Sequence, residues 1–482
     1  MFLPHARPFA ARAPRPERSS FRTLVPMFAA IATIAIAVPM SRAESEDRPN
    51  IVVIFCDDLG YGDFSCYGHP TIRTPNVDRM AAEGLRFTQF YSAAPVCTPS
   101  RAALLTGRLP IRNGLVGGKR RVLFHDSKRG LPADEITIAE VLQGAGYATA
   151  CVGKWHLGHL PPYLPGAHGF DTYFGIPYSN DMDRTAAAPE GRAAFLDPKI
   201  AYWNVPLMRQ DSIIERPADQ TTITRRYTEE AVAFIRKNAS KPFFLYLAHS
   251  MPHVPLFRSP EFENRSPRGL FGDVVEEVDW SVGAVLDALR AEGLSEKTLV
   301  LLTSDNGPWT TFGVNGGSAG LLRGGKGSTW EGGMREPAVA WWPGRIPAGR
   351  VTAELACTTD LFATVHGLLK IPLPDDRPLD SHDITPVLTG AGPSPRRDVF
   401  YYRDSTLMAV RRGPWKMHLI TQAGYGQPEP VEHAPPLLFH LEHDPGESHN
   451  VAERHPEVID ELRARIAEHR AGWTPPPSLL DD

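Results

Sequence analysis

Two pairs of oxygen-bearing residues stand where chemistry could happen: Asp57 with Asp58, and Asp305 with Asn306. Adjacent carboxylates at the end of a buried segment repel one another unless a cation lies between them, and hard oxygen donors of this kind suit Ca²⁺ or Mg²⁺. Either pair alone also fits a turn, one side chain capping the backbone that follows. A third segment, Cys97-Thr98-Pro99-Ser100-Arg101, sets a thiol just before an expected helix N-terminus, with Arg101 one turn inside. Backbone N–H groups and the helix dipole favour an anion there. A lone Cys is otherwise a small buried hydrophobe, or a thiolate nucleophile whose pKa the helix end lowers. Lys154 and His156 are two residues apart, so an extended backbone would turn both to one face, toward an anion or a proton-transfer site. His253 and the weaker competitor His249 follow another apolar run, and either could bind a ligand or simply pack. Lys326 closes a glycine-rich run from Gly320 that starts like a phosphate-binding loop. Gly327 stands where that loop requires Ser or Thr, and no buried strand runs into it, which excludes nucleotide binding.

The elements that must position these groups alternate in kind. Residues 50–56, 147–152, 243–248 and 299–303 are short apolar runs, as expected of strands buried on both faces. Helices are expected over 76–84, 99–107, 136–146, 224–237 and 273–290. Alternating strands and helices predict an α/β fold with a parallel or mixed sheet, and ligands gather beyond the carboxyl ends of such strands. Asp57 with Asp58, Lys154 with His156, and Asp305 with Asn306 obey that rule. After about residue 390 the texture changes: 398–403, 407–412 and 414–420 read as antiparallel strands and 455–471 as a polar terminal helix.

Cys97-Thr98-Pro99-Ser100-Arg101, continued by Leu105-Thr106-Gly107-Arg108, resembles the signature of the type I, formylglycine-dependent sulfatases. Gly153-Lys154-Trp155-His156-Leu157-Gly158 resembles their second signature, His253-Val254-Pro255 their substrate-binding histidine motif, and 320–336 the segment whose lysine binds sulfate. Leu441-Glu442-His443-Asp444-Pro445-Gly446-Glu447 is similar to a C-terminal element common in that family, so His433, His440, His443 and His449 are expected to be solvated loop residues rather than metal ligands. The likeness runs from about residue 49 to the end and is strongest to the arylsulfatase A and N-acetylgalactosamine-6-sulfatase branches, with 331–344 and 399–408 leaning to the latter.

The resemblance implies an alkaline-phosphatase-like fold: a large mixed sheet between helices, spanning 49–390, and a small C-terminal antiparallel sheet in 391–482. It implies hydrolysis of an aryl sulfate or a sulfated sugar, with Cys97 oxidised by a formylglycine-generating maturation enzyme to an aldehyde whose hydrate is the nucleophile. Asp57, Asp58, Asp305 and Asn306 would bind one divalent cation, Ca²⁺ before Mg²⁺, the modified Cys97 completing the shell. Arg101 and Lys154 would stabilise the ionised hydrate, His253 and Lys326 would hold the sulfate, Asp305 or His253 with Lys326 would assist the leaving group, and His156 would accept the last proton. The glycines of 320–336 would let backbone approach the anion. The irregular segment 178–215 would line the leaving-group side. Phosphate mono- or diester hydrolysis in the same superfamily and non-catalytic glycan binding are the rival readings.

With 482 residues, 42% of them hydrophobic, and a net charge of −4, the chain has length for a large core and no basic field to attract nucleic acid. Residues 1–43 read as a signal peptide: five arginines, the apolar stretch Leu24–Met40, then Ser41-Arg42-Ala43 as a cleavage site. Export to a periplasm or the medium follows. An uncleaved anchor is the rival, and Met27 an alternative start. The five cysteines contain no CxxC pair, and Cys56, Cys66, Cys151 and Cys357 could pair in three ways or not at all. Asn238 and Asn264 match the glycosylation sequon.

Overall fold

Alternation decides the architecture at its centre. In the strand Asn50–Cys56 all seven residues are buried. Val52, Ile54 and Cys56 join one core, whereas Ile51, Val53 and Phe55 join another on the opposite face. Burying each such side chain contributes about 1.5–3 kcal/mol, so a strand greasy on both sides is stable only between two layers. The computed structural model, which describes residues 48–424 and 429–481, has those layers. The expected leader lies outside the described residues.

The strands of the large sheet are β1 (Asn50–Cys56), β2 (Leu85–Tyr91), β3 (Ala148–Gly153), β4 (Thr172–Gly175), β5 (Leu207–Arg209) and β6 (Ser212–Glu215). They continue with β7 (Phe243–Ala248), β8 (Thr298–Ser304), β9 (Arg335–Trp341), β10 (Arg350–Thr352) and β11 (Ala356–Cys357). Their order is β10-β2-β9-β8-β1-β7-β3-β4-β5-β6, with β11 also on β2. Strands β8, β1, β7, β3 and β4 are mutually parallel, whereas β9 runs against both β8 and β2. The sheet is therefore mixed, and the start of β9 lies at the same edge as the ends of its parallel neighbours.

Helices α1 (Pro75–Glu83), α2 (Cys97–Thr106), α3 (Ile138–Gly144), α4 (Ile223–Lys237), α5 (Leu270–Ala291) and α6 (Asp360–Leu369) cover the two faces. Val77, Tyr227 and Val278 of α1, α4 and α5 pack into the first core; Leu105, Leu142 and Phe362 of α2, α3 and α6 pack into the second. Beyond them β12 (Asp398–Arg403), β13 (Thr406–Arg412), β14 (Trp415–Thr421) and β15 (Val431–His440) form an antiparallel sheet in that order. The terminal helix α7 (Pro456–Arg470) packs on it through Ile459, Leu462 and Ile466. One core joins this sheet to the large one, since Tyr91, Ala103 and Met334 pack with Tyr401, Ala409 and Met417. This is the expected alkaline-phosphatase-like arrangement.

Some details go beyond the sequence reading. Helix α2 begins at Cys97, not after it: Val96 is the extended N-cap, and Pro99 sits in the first turn, where a missing N–H costs nothing. All five cysteines are free, which is the unpaired alternative of those the sequence left open. Asn238 is buried at the end of α4, its amide donating to Phe234 O at 2.8 Å, while Asn264 is exposed. Among the described residues, no helix is long and apolar enough to cross a membrane.

Candidate active site

The carboxyl edge of the central strands carries the site. β1 delivers Asp57 and Asp58, β8 delivers Asp305 and Asn306, and β3 delivers Lys154; the start of α2 brings Cys97 and Arg101, the loop after β7 brings His253, and the loop before β9 brings Lys326. Every one of them is buried.

Three carboxylates face three cations there. Lys154 Nζ donates to Asp57 Oδ2 at 2.5 Å. Arg101 Nη2 donates to Asp305 Oδ2 at 2.7 Å and lies 3.6 Å from Asp57 Oδ1. Lys326 Nζ is 2.7 Å from Asp58 Oδ1. Cys97 Sγ sits between the groups, 3.5 Å from Asp57 Oδ1 and 3.5 Å from Lys326 Nζ. Burial pushes the Cys97 thiol well above its ordinary pKa, although Lys154 and Lys326 pull the other way. A thiol held protonated is a poor nucleophile, so the geometry does not favour an unmodified Cys97 thiolate.

The donors fit a hard cation. Asp57, Asp58, Cys97 and His253 each offer a ligand atom within 4.8 Å of the others. Asn306 Nδ2 donates to Asp58 Oδ1 at 2.7 Å, which leaves Asn306 Oδ1, buried and without a hydrogen-bond partner among the described residues, as an open acceptor. Such an orphan is costly unless something positive meets it. Asp58 also adopts a left-handed backbone, φ 61°, a strained geometry that side-chain ties around it maintain.

The two histidines are held differently. The argument that an extended backbone presents Lys154 and His156 together is corrected: β3 ends at Gly153, and His156 is left-handed, φ 59°. Its Nε2 faces Leu123 O at 2.8 Å, so Nε2 carries the proton and Nδ1, buried and without a partner among the described residues, carries the lone pair. Burial, with Lys154 and Arg101 adding to it, holds the His156 ring well below its ordinary pKa and therefore neutral. His253 Nδ1 lies 2.5 Å from Val254 O, and its Nε2 lies 3.6 Å from Asp58 Oδ2. His249 is elsewhere, with Nε2 on Ser281 Oγ of α5 at 3.1 Å.

Sequence reasoning missed some neighbours. Lys154 Nζ also donates to Ser179 Oγ at 3.1 Å, so the irregular segment from 178 reaches the site at its first residues. Trp309 lies under Lys326, with Nζ 4.4 Å from the ring centroid. Trp309 was marked only by its place three residues after Asn306, and Ser179 only by its place in the irregular segment 178–215. Two glycines of 320–336 meet a constraint the sequence did not suggest. A Cβ on Gly325 would meet Pro308 O at 2.5 Å and one on Gly333 would meet Ser328 O at 2.1 Å, so the close approach is to protein backbone. His449 is exposed, as expected, whereas His433 and His440 lie within β15.

Gly153 is as tight as any glycine among the described residues, equalled by Gly175. A Cβ there would stand 1.8 Å from Ala248 O at a φ of 116°. Gly153→Ala should destabilise the fold by about 3 kcal/mol or more, read as a lowered denaturation midpoint with an unchanged slope. A variant as stable as the parent would show that the β3–β7 junction yields.

Comparison with known proteins agrees with this geometry. The Sulfatase family model matches residues 49–371, and the model for the C-terminal region of aryl-sulfatase matches 394–482. Human arylsulfatase A (Homo sapiens) is 43% identical, covering 91% of this chain and 89% of that one. N-acetylgalactosamine-6-sulfatase of Canis lupus familiaris is 41% identical over 89% and 86%. Among solved structures, the PsFucS1 sulfatase from Pseudoalteromonas sp. superposes with a TM-score of 0.80 at 32% identity, covering 89% and 91%. A phosphonate monoester hydrolase of Agrobacterium radiobacter shares the fold, with a TM-score of 0.60 at 20% identity over 88% and 96%. With both family models matched and relatives above 40% identity along most of its length, the chain belongs to the sulfatase family and is a hydrolase of sulfate esters.

Proposed function

We propose that Cys97 is the precursor of a formylglycine, and that Asp57, Asp58, Asp305 and Asn306 hold one Ca²⁺ beside it. The observation that carries this reading is the position of Cys97 Sγ, buried at a helix start and 3.5 Å from both an acidic and a basic member of the site. A soft thiol suits a hard-cation site poorly; an oxygen at the same position suits it well. The cation would supply a lowered pKa for that oxygen and polarisation of a sulfate oxygen. The hydrated aldehyde would supply two hydroxyls, one to attack sulfur as the S–O bond to the alcohol breaks, the other to lose its proton as the aldehyde re-forms and sulfate departs.

The chain's own groups divide the remaining work. Lys154 and Arg101 hold negative charge beside position 97, in a buried setting where such donors count most. His253 Nε2 and Lys326 Nζ sit at the Asp58 edge, where the sulfate oxygens bind. Asp305 has both oxygens engaged, by Arg101 and by the Asp58 N–H at 3.2 Å, and His253, its Nδ1–H on Val254 O, turns a lone pair at Nε2 to the site, so the Lys326 ammonium beside it is the group placed to protonate the departing alcohol. His156 Nδ1, the free lone pair, takes the last proton. Residues 391–482 act as a C-terminal subdomain, the leader directs export, and a formylglycine-generating enzyme matures Cys97. The substrate is an aryl sulfate or a sulfated sugar.

Mass spectrometry of the tryptic peptide Phe87–Arg101 tests the precursor role: matured, active protein should carry an aldehyde at position 97. Turnover by protein with an intact thiol there would defeat it. Parallel kinetics on an aryl sulfate and the matching aryl phosphate should favour sulfate by at least about 100-fold in kcat/KM, a difference of about 2.7 kcal/mol.

A further inference from the structure

A second group of buried charges lies outside this chemistry, against the segment that carries Lys326. Residues 323–333 close on themselves, Gly332 N–H donating to Arg323 O at 2.7 Å and Gly333 N–H to Trp330 O at 2.9 Å. One flank of this loop is tied to the site. Lys326 N–H donates to Pro308 O at 2.9 Å, and Gly327 N–H donates to Pro95 O, two residues before Cys97, at 2.8 Å.

The other flank is tied to the small sheet. Lys416 of β14, wholly buried, donates to Thr329 O at 2.8 Å and Glu331 Oε1 at 2.9 Å, and lies 3.0 Å from Glu447 Oε1. Glu447 Oε2 accepts the Glu331 N–H at 2.6 Å, and Glu447 Oε1 is 2.7 Å from His418 Nε2. The His418 ring packs on Trp330 with centroids 4.4 Å apart. Glu447 is the last residue of the C-terminal element noted in the sequence, to which the reaction assigns no task.

Apolar side chains would fasten two sheets together at lower cost, because buried ion pairs repay their desolvation poorly. A hydrogen-bonded polar network, in contrast, narrows the arrangements open to it, and of the Lys416, Glu447 and His418 side-chain atoms only His418 Nδ1 is without a partner among the described residues. Here the network fixes two backbone groups of the loop, the Thr329 carbonyl and the Glu331 N–H. We propose that Lys416, Glu447 and His418 are positioning residues, through which the C-terminal sheet aims Lys326 at the sulfate. The inference rests on Lys326 binding the sulfate, as read above.

Lys416→Met and Glu447→Gln, made in the full matured chain, should lower kcat/KM on an aryl sulfate about 10- to 100-fold, the range a displacement near 1 Å produces. Inorganic sulfate should inhibit more weakly by a similar factor, and hydrogen exchange in 323–334 should speed up while thermal unfolding stays cooperative. On a Lys326→Met background, Lys416→Met should cost less than about twofold, because residues acting through one group are non-additive. Where Lys416→Met fails to fold, Lys416→Arg and Glu447→Asp carry the same three readouts. Full additivity with Lys326→Met, or unchanged sulfate inhibition and exchange in both single variants, overturns the inference alone. If Lys326→Met by itself leaves sulfate inhibition unaltered, the assignment of Lys326 fails and this inference fails with it.

Discussion

Replacing Cys97 by alanine should abolish sulfate release, by a factor on the order of 10⁴ or more, while the protein stays folded. The side chain makes few contacts that stability depends on: Sγ lies 3.5 Å from Asp57 Oδ1 and 3.5 Å from Lys326 Nζ, and the rest of α2 packs through Ala102, Leu104 and Leu105. Removing one buried sulfur costs about 1 kcal/mol, too little to unfold a domain of this size. The variant should therefore bind sulfate and a divalent cation and turn nothing over. Cys97→Ser should be almost as inactive for a different reason. A single hydroxyl can be sulfated once, but without a second oxygen on the same carbon nothing expels the sulfate, so a stable sulfated peptide Phe87–Arg101 should accumulate. Release near the parental rate from Cys97→Ala would remove the nucleophile from the scheme.

The parts of the site that could be read from sequence are those attached to strands greasy on both faces. Asn50–Cys56, Phe243–Ala248 and Thr298–Ser304 announce themselves as unbroken apolar runs because they are central, parallel and covered twice. The polar residues directly after them then stand out as site candidates. Strands β2 and β9 escape the same reading. In Leu85–Tyr91 and Arg335–Trp341, Arg86 and Gln89 or Arg335 and Glu336 interrupt the pattern, yet Gln89, Arg335 and Glu336 are buried at the sheet's polar edge. Strand β15 contains Pro435 and Pro436, which argue against a strand and are tolerated here at the sheet edge.

Charge is misread in the same way. Lys416 and His418 alternate with Met417 in Trp415–Thr421, the pattern of a strand with one wet face. Both faces are dry: Met417 meets the core shared with the large sheet, and Lys416 and His418 meet Glu331 and Glu447 across 85 and 29 residues of sequence. No local spacing reveals such partners. The contact of Lys154 with Ser179 across 25 residues was hidden for the same reason.

Arg101→Met tests the electrostatics of the site as a whole. The guanidinium is fully buried and touches three things at once: Asp305 at 2.7 Å, Lys154 O at 3.1 Å, and Asp57 at 3.6 Å. Burial alone would lower its pKa, but Asp305 foremost, and Asp57, hold it above the ordinary arginine value. A thioether in its place leaves Asp305 buried without a cation, which should cost about 3–5 kcal/mol of stability. The loss should depend on the cation, because a divalent ion bound among the same carboxylates supplies the charge that was removed. Added Ca²⁺ should therefore raise the unfolding temperature of Arg101→Met by more than it raises that of the parent, since only the folded state offers the site. Activity should not return with stability. Charge developing beside position 97 has lost a preorganised donor, a deficit of about 10²- to 10³-fold in kcat. Arg101→Lys should recover part of the stability and little of the rate, because one ammonium cannot span Asp305, Asp57 and the Lys154 carbonyl together. Equal Ca²⁺ stabilisation of variant and parent would place the cation away from these carboxylates.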